Sequence, residues 1–124
     1  QKTLDILENR AFEFVFNASA RAEVSVAGEL EAKDGMLAVS GKIDRLCETH
    51  DGLLIVDFKT NRQVPATAAE IPRNYVNQLA AYRALLRQSF VKTRISAAVL
   101  WVETGRFDIL EAEVLDAAED KILN

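Results

Sequence analysis

Between Arg21 and Leu30 polar and apolar positions alternate, with Glu23, Ser25 and Ala27 on one side and Val24 and Val26 on the other, the period of a β-strand. Gly28 is expected to bulge or end this strand. Asp34-Gly35 leads into a second strand, Met36 to Cys47, and Asp51-Gly52 into a third, Leu53 to Lys59. An Asp-Gly pair between such runs is a strong signal for a tight hairpin. In the third strand Leu53, Ile55 and Asp57 point one way and Leu54, Val56 and Phe58 the other. A strand that is apolar on both faces reads as central and covered. The period becomes helical from Asn74 to Ser89, where Tyr75, Leu79, Tyr82 and Leu86 form a stripe behind Asn74 as N-cap. Ile95 to Val102 follows as an apolar strand, Arg106 to Leu110 as its partner across Thr104-Gly105, and Leu115 to Leu123 as an amphipathic helix. Lys2 to Arg10 carries a weaker helical stripe, and Phe12, Phe14 and Phe16 alternate as a short strand or as aromatic packing beneath the sheet. The pattern predicts an α/β domain in which an antiparallel meander precedes a helix and a further strand, giving a mixed central sheet flanked by helices.

A chain of 124 residues, 49% hydrophobic and 27% charged, fits one globular domain. No apolar run approaches a membrane span and no secretory signal is recognisable, which places the expected site of action in the cytoplasm. Cys47 is the single cysteine, so disulfides, zinc clusters and cysteine-held iron–sulfur clusters are excluded within the chain, and a core position is preferred to a reactive thiol. The net charge of −4 is segregated: seven basic residues stand against one acid between Lys59 and Arg94, leaving −10 for the remainder. That segment either faces a phosphate backbone or carries ordinary solvated charges.

Chemistry concentrates between Gly41 and Lys59. If Asp51-Gly52 is the whole loop, His50 pairs with Leu53, Leu46 with Asp57, and Asp44 with Lys59, so that Asp44, Asp57 and Lys59 share one face. Two carboxylates about 4 Å apart repel by roughly 4 kcal/mol at an effective dielectric near 20, a cost that a divalent cation removes. Oxygen ligands with open water positions suit Mg²⁺, with Mn²⁺ as a substitute, and Mg²⁺ commonly bridges to phosphate oxygens. A lysine beside such an ion can polarise the attacked phosphate or hold the attacking water. Glu23 either reaches the same face as a further acid or points to solvent, since a slip of one residue exchanges faces. Arg62, in the loop from Asn61 to Pro72, is a phosphate contact or an exposed side chain. Gln78 and Tyr82 share a helix face, where the residues alone favour a boundary position for Gln78 and a core position for Tyr82. His50 reads as a turn residue remote from Asp57.

Read in order, Gly41-Lys42-Ile43-Asp44-Arg45, Asp57-Phe58-Lys59-Thr60 and Gln78-Leu79-Ala80-Ala81-Tyr82 resemble the motif set of the RecB-like nucleases, a branch of the PD-(D/E)XK superfamily. Over Arg21 to Leu110 the chain resembles the C-terminal nuclease domains of AddA-type helicase–nucleases that process double-strand breaks. The resemblance implies a restriction-endonuclease-like fold and hydrolysis of DNA, with exonuclease action during recombinational repair. It implies that Asp44 and Asp57 hold Mg²⁺ with the Phe58 carbonyl, that Lys59 is catalytic, and that Gln78, Tyr82 and Arg62 contact DNA, mainly through its backbone. Residues 1–124 would then be one nuclease domain, a fragment without its N-terminal helices and helicase portion, whose parent pairs with an AddB-type subunit. The histidine that relatives carry upstream of the first strand has no counterpart here, and no Walker motif is present. The rival expectations are a catalytically silent DNA-binding or scaffold module of the same fold and a free-standing RecB-like nuclease.

Overall fold

The computed structural model describes residues 20–61 and 64–124. The expected helix over Lys2 to Arg10, the alternating phenylalanines and Arg62 lie outside the described residues. Five strands form one mixed sheet in sequence order: β1 (Ala20–Ala32), β2 (Gly35–Thr49), β3 (Gly52–Lys59), β4 (Arg94–Trp101) and β5 (Arg106–Ile109). Neighbours are antiparallel except β3 and β4, which run parallel. A parallel pair requires a crossover, and α1 (Arg73–Ser89) supplies it; α2 (Ala112–Leu123) follows β5. A 3₁₀ turn at Ala68–Glu70 lies in the loop before α1.

Both helices lie on one side of the sheet. Ile55 of β3 and Ala97, Val99 and Trp101 of β4 meet Val76, Leu79, Tyr82 and Leu86 of α1 and Leu115 and Ala118 of α2. The opposite face buries Cys47, Leu54, Val56, Ala98 and Leu100, so β3 is covered on both faces, as its apolar run predicts. Cys47 is a core residue, its thiol pushed up by burial.

Several local expectations are corrected. β1 does not bulge or end at Gly28, which stays in register opposite Val39. Asn74 is not the N-cap of α1; Pro72 is, and its carbonyl accepts the N–H groups of Tyr75 and Val76. Proline supplies the cap's carbonyl while lacking a donor of its own. In both hairpins the glycine of Asp-Gly is the first paired residue of the new strand, Gly35 opposite Ala32 and Gly52 opposite Thr49. The loops are therefore Lys33-Asp34 and His50-Asp51. Gly52 has φ +152, and a Cβ there would come 2.0 Å from the Arg94 carbonyl oxygen, so the start of β4 fixes this position as glycine.

The expected basic surface is partly neutralised. Arg83, 8% exposed, pairs with Asp116 of α2 at 2.6 Å, and Arg87 pairs with Glu119. These arginines dock the second helix on the first. Removing the carboxylate strands a buried guanidinium whose Nη1 already has no partner. Asp116→Ala is expected to cost about 1–2 kcal/mol, less than a fully buried pair because Asp116 is solvated. Arg83→Met should be nearly neutral, and urea denaturation of both variants checks the pair of outcomes.

Candidate metal and phosphate site

The β2–β3 ladder fixes the site. Glu48 pairs with Leu53, Leu46 with Ile55 and Arg45 with Val56. The expected pairings of His50 with Leu53, Leu46 with Asp57 and Asp44 with Lys59 are each displaced by two residues, because the loop is His50-Asp51. A displacement of two preserves the face, so Asp44, Asp57 and Lys59 still converge. Asp44 is aligned with Asp57 rather than with Lys59.

Pairing stops at Arg45 and Val56, one step short of the two aspartates. There the Asp44 carboxylate takes the place of a ladder carbonyl, accepting the Phe58 N–H at 2.7 Å. Both β1 and β2 turn over at this level. Gly41 and Ile43 face the helices whereas Cys47 faces away, and on β1 Val24 and Val26 face the helices whereas Ala20 does not. Simple alternation would give residues two apart one common face. The break coincides with Glu23, whose φ is +52 and which the ladder skips opposite Asp44. Glu23 is exposed, and its left-handed backbone, unusual for a side-chain-bearing residue, marks where the pairing is interrupted.

Asp57 is 8% exposed. Burial pushes its carboxyl above the usual carboxylate range, Lys59 pulls it back, and the Asp44 carboxylate pushes it up further. Lys59 Nζ stands 2.9 Å from Asp57 Oδ2, an ion-pair distance, and this oxygen is buried from solvent. The ammonium also lies over the ring of Tyr75, 4.0 Å from its centroid. Tyr75 fell in the apolar stripe of the helix pattern; a tyrosine at the level of an Asp-x-Lys strand end is the only sequence sign of this contact, and it is a weak one.

Tyr82, expected either in the core or at the site, is a core residue whose hydroxyl feels the charges of the two aspartates. Its ring is buried, and its hydroxyl accepts from Gln78 Nε2 at 3.2 Å. Burial, then the charges of Asp57 and Asp44, raise the phenol above its ordinary value, so it stays protonated and keeps a donor. His50 sits in the β2–β3 turn, at the other end of β3 from Asp57.

Among the described residues no three His, Cys, Asp or Glu side chains cluster as metal ligands. Two do: Asp44 and Asp57 adjoin, and Asp57 Oδ2 is buried from solvent. Mg²⁺ is usually held by one or two carboxylates with water completing its shell, so this pair fits a hard divalent cation. A buried carboxylate that folding makes harder to ionise is what such an ion would relieve.

The family model of the PD-(D/E)XK nuclease superfamily matches residues 2–122. No curated protein matches the chain. Among solved structures, one described as "Crystal structure of SSO0001" is similar with a TM-score of 0.50 and 19% identity, over 95% of this chain and 57% of that one. At that identity the likeness is one of fold, and this chain spans just over half the length of that structure.

Proposed function

The chain belongs to the PD-(D/E)XK nuclease superfamily, and on that premise we propose that it hydrolyses DNA phosphodiester bonds at Asp44, Asp57 and Lys59 with a divalent cation, Mg²⁺ or Mn²⁺. The observation that carries the reading is the buried Asp57 carboxylate, held between the Asp44 carboxylate and the Lys59 ammonium with one oxygen buried from solvent. A purely structural role gains nothing from burying two acids together.

In this reading Asp44 and Asp57 hold the cation, with the Phe58 carbonyl as a further ligand. A divalent cation held there would supply the positive charge that polarises a phosphate and makes water easier to deprotonate. Lys59 supplies a fixed positive charge for the oxygens that gain charge as the phosphate is attacked. Tyr82 offers a neutral hydroxyl donor, Gln78 orients that hydroxyl, and both, with Arg62, three positions beyond Lys59 in the sequence, contact the DNA backbone. Asp44 is aimed by the Phe58 N–H, which ties the position of one carboxylate to the strand that carries the other.

The finer assignment places the chain in the RecB-like branch, as the exonuclease domain of an AddA-type helicase–nuclease working beside an AddB-type subunit on double-strand breaks. It rests on the spacing Gly41-x-x-Asp44, Asp57-x-Lys59 and Gln78-x-x-x-Tyr82. No helix among the described residues is long and apolar enough to cross a membrane.

The test combines calorimetry with Mn²⁺ and Mg²⁺ and cleavage of end-labelled single- and double-stranded DNA. Expected are metal uptake lost in Asp44→Ala, cleavage that EDTA reduces to background, and DNA affinity that falls steeply with added salt because backbone contacts dominate. Neither metal uptake nor cleavage would overturn the reading in favour of a silent DNA-binding scaffold.

A further inference from the structure

Lys59 ends β3 on a flexible four-carbon stem, and the side chain is 20% exposed. An ammonium on such a stem has many accessible positions, yet here it is confined between two surfaces. One is the Asp57 carboxylate, 2.9 Å away; the other is the face of Tyr75, 4.0 Å from its centroid. The ring is itself braced. Its hydroxyl accepts from Asn61 Nδ2 at 3.0 Å, two residues beyond Lys59. Its ring neighbours that of Trp101, with centroids 6.4 Å apart and planes tilted by 46°, and Trp101 is wholly buried with its indole N–H donated to Asp108 at 2.8 Å. Tyr75 is therefore a wall fixed from the loop after β3 and from β4.

We propose that Tyr75 is the positioning residue for Lys59, holding the ammonium at the site through its ring face. The inference rests on the nuclease reading for its consequence, though not for its geometry. A carboxylate that binds a divalent cation attracts a neighbouring ammonium less, and the ion repels that ammonium. An aromatic face attracts the ammonium through its quadrupole while offering the metal no strong ligand. It holds Lys59 without competing for the ion that Asp57 takes. A role in packing alone would make the effect of a substitution follow stability and would leave the lysine where it is.

The side-chain methylene resonances of Lys59, assigned through their loss in Lys59→Arg, report the contact directly. In the wild-type protein they should be displaced upfield by the ring current, remain so in Tyr75→Phe, and return to ordinary lysine positions in Tyr75→Leu. With Mg²⁺ and DNA, Tyr75→Leu should lose about 10- to 100-fold in kcat with little change in KM, the scale expected of a misplaced catalytic group, and Tyr75→Phe should recover most of it. Undisplaced wild-type resonances overturn the proposal, and that spectrum decides even if the leucine variant fails to fold. So does a phenylalanine variant as impaired as the leucine one. Displaced lysine resonances in a protein that cleaves no DNA would instead remove the nuclease reading and leave the hold of Tyr75 on Lys59 standing.

Discussion

Asp57→Asn is expected to reduce DNA cleavage by about 10³-fold or more while making the metal-free protein more stable at neutral pH. The two effects share one cause. Burial raises the Asp57 carboxyl above its unfolded value, and the nearby Asp44 carboxylate adds to this, despite the ammonium of Lys59. A carboxyl whose folded value is raised favours folding least when ionised. The stability it allows is complete below the unfolded carboxylate range and is lost as pH rises through the folded value. Asparagine has the same shape and no charge to bury. The variant should therefore gain about 0.5–2 kcal/mol at pH 7, the usual scale for relieving a strained functional position, and the gain should vanish in acid where wild-type Asp57 is protonated. Saturating Mg²⁺ or Mn²⁺ should reverse the order, because a ligand of the native state stabilises only the protein that binds it. Thermal melts of both proteins across pH, with and without metal, check each part. A variant less stable than wild type in the metal-free state at pH 7 would contradict the reading of Asp57 as a strained ligand.

The convergence of Asp44, Asp57 and Lys59 in the candidate site is legible in the sequence because its signals are local and tolerate error in register. An apolar run on both faces marked β3 as central, and parity along it set Asp57 and Lys59 together whatever β2 did. The Asp-Gly pairs located both hairpins but not their loops. Type I′ chemistry would put both residues in the turn, whereas here glycine opens the strand and aspartate closes the loop, its carboxylate Oδ1 accepting from the Thr49 hydroxyl at 2.8 Å in the second hairpin. The error was two residues and so left the face unchanged. The turning over of β1 and β2 at Glu23 and Asp44 could not be read, since a left-handed glutamate has no sequence signature. Nor could the partners of Arg83 and Arg87, which lie more than thirty positions away on α2; a charge count along the chain records sign but not pairing. Tyr75 was hidden for a related reason: one face of α1 serves both the core and the site, and helical spacing cannot separate the two.

Gly41→Ala is expected to destabilise the protein by about 1–3 kcal/mol, the cost of overpacking a filled interior, and to lower cleavage with it. The sign is informative, because alanine in a strand interior ordinarily gains about 0.5–1 kcal/mol over glycine. At Gly41 a Cβ would come 2.0 Å from the Tyr82 hydroxyl oxygen, 2.9 Å from Cζ and 3.1 Å from Cε1. All three atoms belong to one side chain that is 4% exposed, so the ring has little room to retreat. Any retreat moves the hydroxyl that Gln78 holds beside the two aspartates. The glycine is thus the floor on which the phenol rests, and its place three residues before Asp44 couples the first motif to the third across the sheet. Tyr82→Phe removes the nearest of the three atoms and keeps the other two, so it should relieve the alanine variant in part. A double-mutant cycle by urea denaturation should give a coupling of about 0.5–2 kcal/mol, the range for side chains in contact. Additive effects of the two substitutions would mean that the phenol does not rest on Gly41, and that the glycine of the motif serves the strand alone.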